Sequence, residues 1–245
     1  MGKIVIEVLY PEVANLYGDL FNMKYLKQCF EVNPEVTVEW IEDELNGKPA
    51  FASRDDISVI YMGPMTEYSQ ELVIEKLLPY KDRINELIEK GQLFLMTGNA
   101  MEIFEERIEC EDGRKITGLG IFSLYAKRKM FQRYNSLLLG EMEHMKIVGF
   151  KSQFTHTYGN NEQEYMIQTL RGDGIHPGSK LEGMRRNNFL GTYLLGPVLV
   201  LNPELTKYVM RLCGVESPKL AFEEETVKAY QIRLKEFEDE KTTLQ

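Results

Sequence analysis

Four short apolar segments recur through the first hundred residues: KIVIEVLY (Lys3–Tyr10), VTVEWIE (Val36–Glu42), ISVIYMGP (Ile57–Pro64) and QLFLM (Gln92–Met96). Each is rich in β-branched or bulky residues, too short for a buried helix, and bounded by turn formers such as Pro11 and Gly63-Pro64. They predict strands. Between the first two, Leu20, Met23, Leu26 and Phe30 recur at helical spacing, entered through the turn at Gly18. Between the last two, residues Thr66–Gly91 predict one or two helices, with Pro79 as the break. Strands alternating with helices pack only as a mostly parallel, doubly wound sheet covered on both faces, a three-layer α/β fold.

The rhythm changes after about Gly113. GRKITGLGIFSLYAKRKMF, MKIVGFKSQFTHTYGN and YMIQTLRG predict additional, antiparallel strands in the second half. PELTKYVMRLCGV predicts a helix ended by Gly214, and a charged helical tail is expected over about 222–245. With no repeat and no low-complexity linker, residues 1–245 are expected to form a single domain.

Charge narrows the function. The chain carries 38 acidic against 29 basic residues, a net charge of −9. Its densest basic patches, AKRKMFQR (Ala126–Arg133) and GMRRN (Gly183–Asn187), read as solvated loops or partner contacts, so no nucleic-acid partner is expected. No apolar run approaches a membrane span, and MGK runs straight into IVIEVLY with no room for a signal peptide; Ile6 stands where a myristoylation motif needs Ser or Thr. Cys29, Cys110 and Cys213 are scattered and unpaired, which predicts a reducing, cytoplasmic setting and neither a disulfide nor a zinc site. The acidic stretch Phe104–Gly113 has the spacing of a solvated helix face, so no metal or other cofactor is expected.

Two stretches have the form of catalytic loops. In LFLMTGNAME an apolar strand delivers Thr97 into Gly98 and then a predicted helix, the layout of a nucleophile elbow at the carboxyl edge of a sheet. In GTYLLGP, Gly191, Gly196 and Pro197 frame a sharp corner with Leu195 at its tip. Met96 and Met101 read as core packing around the elbow, and Cys29 and Cys213 as small buried hydrophobes.

Five motifs in order carry a resemblance. They are NLYGD (Asn15–Asp19) followed by Asn22, GLGIF (Gly118–Phe122), IVGF (Ile147–Phe150), YGNN (Tyr158–Asn161) and NFLGTYLLGP (Asn188–Pro197). Together they resemble, over nearly the whole chain, the class I glutamine amidotransferase domains of the cobyric acid synthase (CobB/CobQ) type. Within these the chain looks closest to the glutaminase subunits (GatD) of lipid II isoglutaminyl synthases. The resemblance implies a flavodoxin-like sheet, glutamine hydrolysis and transfer of ammonia to a Mur-ligase-like, ATP-dependent partner subunit.

The same resemblance marks departures. Where the family has approximately ICGGYQ, with its attacking cysteine, this chain has MTGNAM, with Thr97 in the cysteine's place. Where the family has GTYLHGP, Leu195 replaces the activating histidine, and a segment like GFENHGGRT is here GFKSQFTHT, bringing in Lys151, Gln153 and His156. Leucine neither accepts nor delivers a proton, and a threonine hydroxyl is far harder to ionise than a thiol. The expectation is therefore a non-hydrolysing protein that binds a synthetase partner, another copy of itself or a small amino-acid-like ligand. Ligand-binding candidates are Gly63, Thr97, Gly98, Asn99, Gln153, His156 and Tyr193. The alternative is an amidase or amidotransferase of altered mechanism, using Thr97 with His156 or a partner-supplied base. A live cysteine elsewhere, Cys110, is a weaker possibility. The other two histidines are His144 and His176, and HPG (His176–Gly178) reads as a turn.

Overall fold

The computed structural model describes residues 2–243. The first half alternates as its pattern requires. Strand β1 (Gly2–Leu9) leads to helix α1 (Phe21–Glu31), β2 (Val36–Asp43) and β3 (Val59–Met62). Helices α2 (Glu67–Leu77) and α3 (Lys81–Glu89) follow, broken at Leu78–Tyr80 around Pro79, and then β4 (Leu93–Thr97). Much later β13 (Met184–Arg186) and β14 (Phe189–Thr192) join the same sheet, whose order is β13-β14-β4-β3-β1-β2. All its pairings are parallel except the β13–β14 edge.

The period of two along these strands builds two cores. Val5, Leu9, Ile60, Met62, Phe94 and Met96 face one side, where they pack with Val73, Ile74 and Leu77 of α2 and Ile84 and Leu87 of α3. Ile4, Ile6, Val8, Val59, Tyr61, Leu93 and Leu95 face the other, against Met23, Leu26 and Phe30 of α1 and, in helix α5 (Pro203–Leu212), Leu205 and Val209. Cys29 is buried in this second core, and the Cys213 thiol, beside Ser58, is pushed up to about 12 by burial. Because the chain steps from β2 at the sheet edge across β1 to β3, the carboxyl ends of β1, β3, β4 and β14 lie side by side where such sheets bind ligands.

The second half forms two four-stranded, mostly antiparallel sheets. One holds β5 (Arg107–Glu109), β6 (Lys115–Thr117), β7 (Tyr125–Arg128) and β10 (Thr155–Tyr158). The other holds β8 (Tyr134–Met142), β9 (Met145–Gln153), β11 (Ile167–Arg171) and β12 (Leu181–Glu182). The short helix α4 (Val198–Leu201) follows the 193–197 loop, and α6 (Glu223–Glu238) lays Phe237 and Leu234 against Leu139 and Val148. No helix among the described residues is long and apolar enough to cross a membrane.

Two local expectations are corrected. The segment after β4 is not an α-helix but a tight 3-10 run, Gly98–Phe104, in which every residue except Asn99 is buried. The acidic stretch that follows is not a solvated helix face. Its Glu105 is wholly buried, Arg107–Glu109 is strand β5, and Cys110 closes the β5–β6 turn through its N–H to the Arg114 carbonyl at 2.9 Å. Isolated carboxylates are rarely buried, so periodicity alone points outward here; tertiary partners reverse it.

Candidate functional site

At the carboxyl edge of β3, β4 and β14 lies a cavity of about 380 Å³, a size suited to a small ligand. Its lining includes the buried Pro64, Gly98, Gln153, Thr155, Tyr193 and Leu195 together with Asn99, Glu67 and the exposed Tyr17 and Arg133. Leu195 reaches this position because its N–H bonds to the Phe150 carbonyl at 2.9 Å, tying the late loop to β9. The elbow loop and the late loop thus meet across one cavity, as their sequences require if they form one site.

The predicted residues divide into three groups. Gly98, Asn99, Gln153, Tyr193 and Leu195 line the cavity. Thr97 and Gly63 are next to it but do not line it. Thr97 is fully buried, and its hydroxyl donates to Asp19 Oδ2 with the Tyr61 hydroxyl 3.4 Å away. Gly63 is held against the 10–20 loop, since a Cβ there would stand 2.6 Å from the Ala14 carbonyl. His156 is not in the lining, although its Nδ1 stands 3.4 Å from Nε2 of the cavity-lining Gln153. On β10 its neighbours Thr155 and Thr157 turn inward, which sends the imidazole to the opposite face, edge-on to Tyr134 at 4.9 Å. Burial, and the positive charge of Lys151, lower its pKa to about 4, so it is a neutral imidazole at pH 7. His144 is exposed in the β8–β9 turn and His176 stacks on Tyr158 at 4.8 Å.

Asn99 is not available to a ligand through its amide. Its Oδ1 accepts the Met65 N–H at 3.0 Å and its Nδ2 donates to the Met65 carbonyl at 2.9 Å, so the side chain pins the 63–66 loop to the elbow. Gln153 donates to the Thr155 carbonyl at 2.6 Å, while its Oε1 is buried without a partner.

Three buried polar clusters hold this site in shape, and sequence reasoning passes over most of their members. Asp19 is buried beneath the 193–197 loop; Tyr61 donates to it at 2.8 Å, as Thr97 does. Burial raises its pKa, and the hydrogen bonds from Thr97, Tyr61 and the Gly196 N–H pull it back. The only signal for it in the sequence is its place at the end of NLYGD.

The second cluster runs behind Tyr193. Its hydroxyl donates to Glu102 Oε1 at 2.8 Å and stands 2.8 Å from the Thr157 hydroxyl, which in turn donates to Glu105 Oε1 at 2.5 Å. Gln70 donates to Glu102 Oε2 at 2.8 Å, and Arg128 donates to Gln70 Oε1 at 2.8 Å. Burial pushes Glu102 up to about 7; burial together with the neighbouring Glu102 charge pushes Glu105 well above the usual carboxylate range.

The third is an ion pair with both side chains fully buried, Lys151 and Glu182, 3.4 Å apart. Lys151 Nζ also donates to the Asp173 and Gly174 carbonyls at 2.5 and 2.6 Å. Glu182 Oε1 accepts the Tyr193 N–H at 2.8 Å and the Thr192 hydroxyl at 3.1 Å, so it positions the stretch that leads to Leu195.

The fold and the two facing loops define a glutamine amidotransferase-like α/β architecture. The PurLQS structure from Thermotoga maritima matches 87% of this chain and 98% of its own with TM-score 0.55, at 15% identity. A glutamine amidotransferase crystal structure matches 86% and 99%, with TM-score 0.54 and 15% identity. The glutaminase domain of Trypanosoma brucei CTPS matches 89% and 98%, with TM-score 0.53 and 8% identity. In sequence the chain is homologous to the GatD subunits of the glutamine-hydrolyzing lipid II isoglutaminyl synthases. It is 28% identical to that of Staphylococcus aureus (strain N315) over 211 residues, 86% of this chain and 84% of that one. With the subunit of Streptococcus pneumoniae (strain ATCC BAA-255 / R6) the identity is 23% over 208 residues, 83% of this chain and 77% of that one. No protein-family model matches the chain.

Proposed function

We propose that this chain is a GatD-like amidotransferase subunit that does not hydrolyse glutamine, working as one domain beside a Mur-ligase-like, ATP-dependent subunit and holding a small amino-acid-like ligand in its cavity. One observation carries the reading: where the two loops meet, Gly98 faces the side chains of Pro64 and Leu195, and none of these three has a side chain that can attack an amide or carry a proton. The hydroxyl of Thr97 is committed to Asp19, and His156 turns toward Tyr134. A scaffold that retains its loops without those groups keeps binding and partner surfaces while losing covalent turnover.

The purified protein is expected to release no ammonia from glutamine above the buffer blank, and to form no adduct with a chloroketone analogue of glutamine, read by intact mass. Ammonia release by the unaltered protein would defeat the proposal. If Thr97→Ala abolished that release, the altered mechanism through Thr97 would stand in its place.

A further inference from the structure

Sequence alone puts the nucleophile's place at Thr97; the backbone points one residue further. In a strand–turn–helix nucleophile site, the reacting side chain sits on the strained residue between strand and helix and so projects clear of the sheet. Thr97 is still strand. Its φ and ψ are −110° and 150°, and it is in register with Thr192 of β14. Gly98 is the corner, with φ +59°, a conformation that L side chains adopt only under strain.

Two observations agree with this. Gly98 lines the cavity whereas Thr97 is sealed behind it, bonded to Asp19. A Cβ built on Gly98 would lie 3.3 Å from Leu195 Cδ2, so the corner looks straight at the position where the resembled family has its histidine. The one-residue shift also sets Glu102, rather than Met101, opposite the final glutamine of ICGGYQ.

We propose that the nucleophile's position in this fold is Gly98, a corner without a side chain, and that Pro64 and Leu195 have closed over it as an apolar plug. The same built Cβ would stand 2.7 Å from Pro64 Cβ, closer than real contacts allow, so the space a nucleophile would need is taken. A ligand reaching this corner meets the side chains of Pro64 and Leu195 and the backbone of Gly98, with no nucleophile among them. This deepens the non-hydrolysing reading and rests on its premise that the two loops correspond to a nucleophile–base pair.

Two cysteine variants test it: Thr97→Cys alone, and Gly98→Cys combined with Pro64→Gly and Leu195→His, which remove the clash and supply a base. Folding is checked by circular dichroism and thermal melting. Iodoacetamide labelling of the native protein is then followed by peptide mass spectrometry, which separates the new thiol from Cys29, Cys110 and Cys213. The thiol of Thr97→Cys is expected to react on the order of 100-fold more slowly than a free thiol, because it is sealed beneath the cavity. That of Gly98→Cys is expected to react readily, with a pH midpoint below the roughly 8.5 of free cysteine, through the adjacent Leu195→His. Labelling of native Thr97→Cys at the rate of a free thiol overturns the assignment, as does a folded Gly98→Cys combination whose thiol stays inert. If that combination does not fold, the near-isosteric Thr97→Cys arm still decides. Failure of the non-hydrolysing reading would appear separately, as ammonia from the unaltered protein, which neither thiol measurement reads.

Discussion

Replacing Glu182 with alanine is expected to cost about 3–5 kcal/mol of folding stability, the range for breaking one side of a buried ion pair. The cause is not the attraction between Glu182 and Lys151 as such. Both side chains are fully buried, and alanine would leave the Lys151 ammonium in the interior without its paired carboxylate, held by two carbonyls and the field of Asp173. It would also strip the Tyr193 N–H and the Thr192 hydroxyl of their shared acceptor. The contrast that isolates this cause is the pair Lys151→Met with Glu182→Gln. It removes the buried charge and keeps an acceptor for the Tyr193 N–H, so its loss should be a small fraction of that of Glu182→Ala. Urea unfolding reads both as shifts of the midpoint at unchanged slope. A cost for Glu182→Ala within about 0.5 kcal/mol, the range of an ordinary surface substitution, would mean that Glu182 does not hold the 192–195 stretch.

That ion pair also shows where a sequence reading stops. Strands β1 to β4 and helices α1 to α3 follow from local pattern, because the period of two and the period near 3.6 are properties of neighbouring residues. The meeting of the elbow and late loops was legible as well, through motif order. The buried acids were not. Glu102 and Glu105 are buried by Gln70, Thr157 and Tyr193, which come from three distant parts of the chain, and nothing beside them in sequence announces it. Lys151 was visible as a departure, but its partner Glu182 lies 31 residues away on another strand.

The elbow corner, which we place at Gly98, turns on a finer point. Which residue ends β4 depends on its register with β14, where Thr97 pairs with Thr192, and that pairing is a tertiary fact. His156 is a matter of parity. It follows Thr155, which lines the cavity, and so by strand alternation it must face away.

The buried carboxyls make a second large effect measurable in pH. The folded protein is expected to lose stability steadily between about pH 6.5 and 8.5, contrary to the flat behaviour of a chain whose acids are all exposed. Glu102 titrates near 7 in the folded state against 4.5 when unfolded, because burial disfavours its charge. The folded state therefore keeps a proton that the unfolded chain has already released. The stabilisation is complete below pH 4.5, falls steadily from there, and is lost once pH has risen through 7. At about 1.4 kcal/mol per pH unit, Glu102 accounts for a loss of about 3 kcal/mol between pH 4.5 and 7, only the last part of which falls above pH 6.5. Across pH 6.5–8.5 the decline is carried mainly by Glu105, held well above the usual range by burial and by Glu102, and by Glu7, raised to about 9 by burial and by its hydrogen bond with Asp43.

His156 works in the opposite sense, since its lowered pKa makes stability grow with pH, but that contribution ends near 6.5, where the unfolded imidazole becomes neutral. The window above it isolates the carboxyls. Glu105→Gln imitates the protonated acid, so it should match the unaltered protein at pH 5 and exceed it at pH 8.5, with urea midpoints across the series as the measurement. Stability that is level or rising from pH 6.5 to 8.5 would mean that these carboxyls are ionised in the folded protein. The proton-holding network behind Tyr193 would then be wrong as drawn.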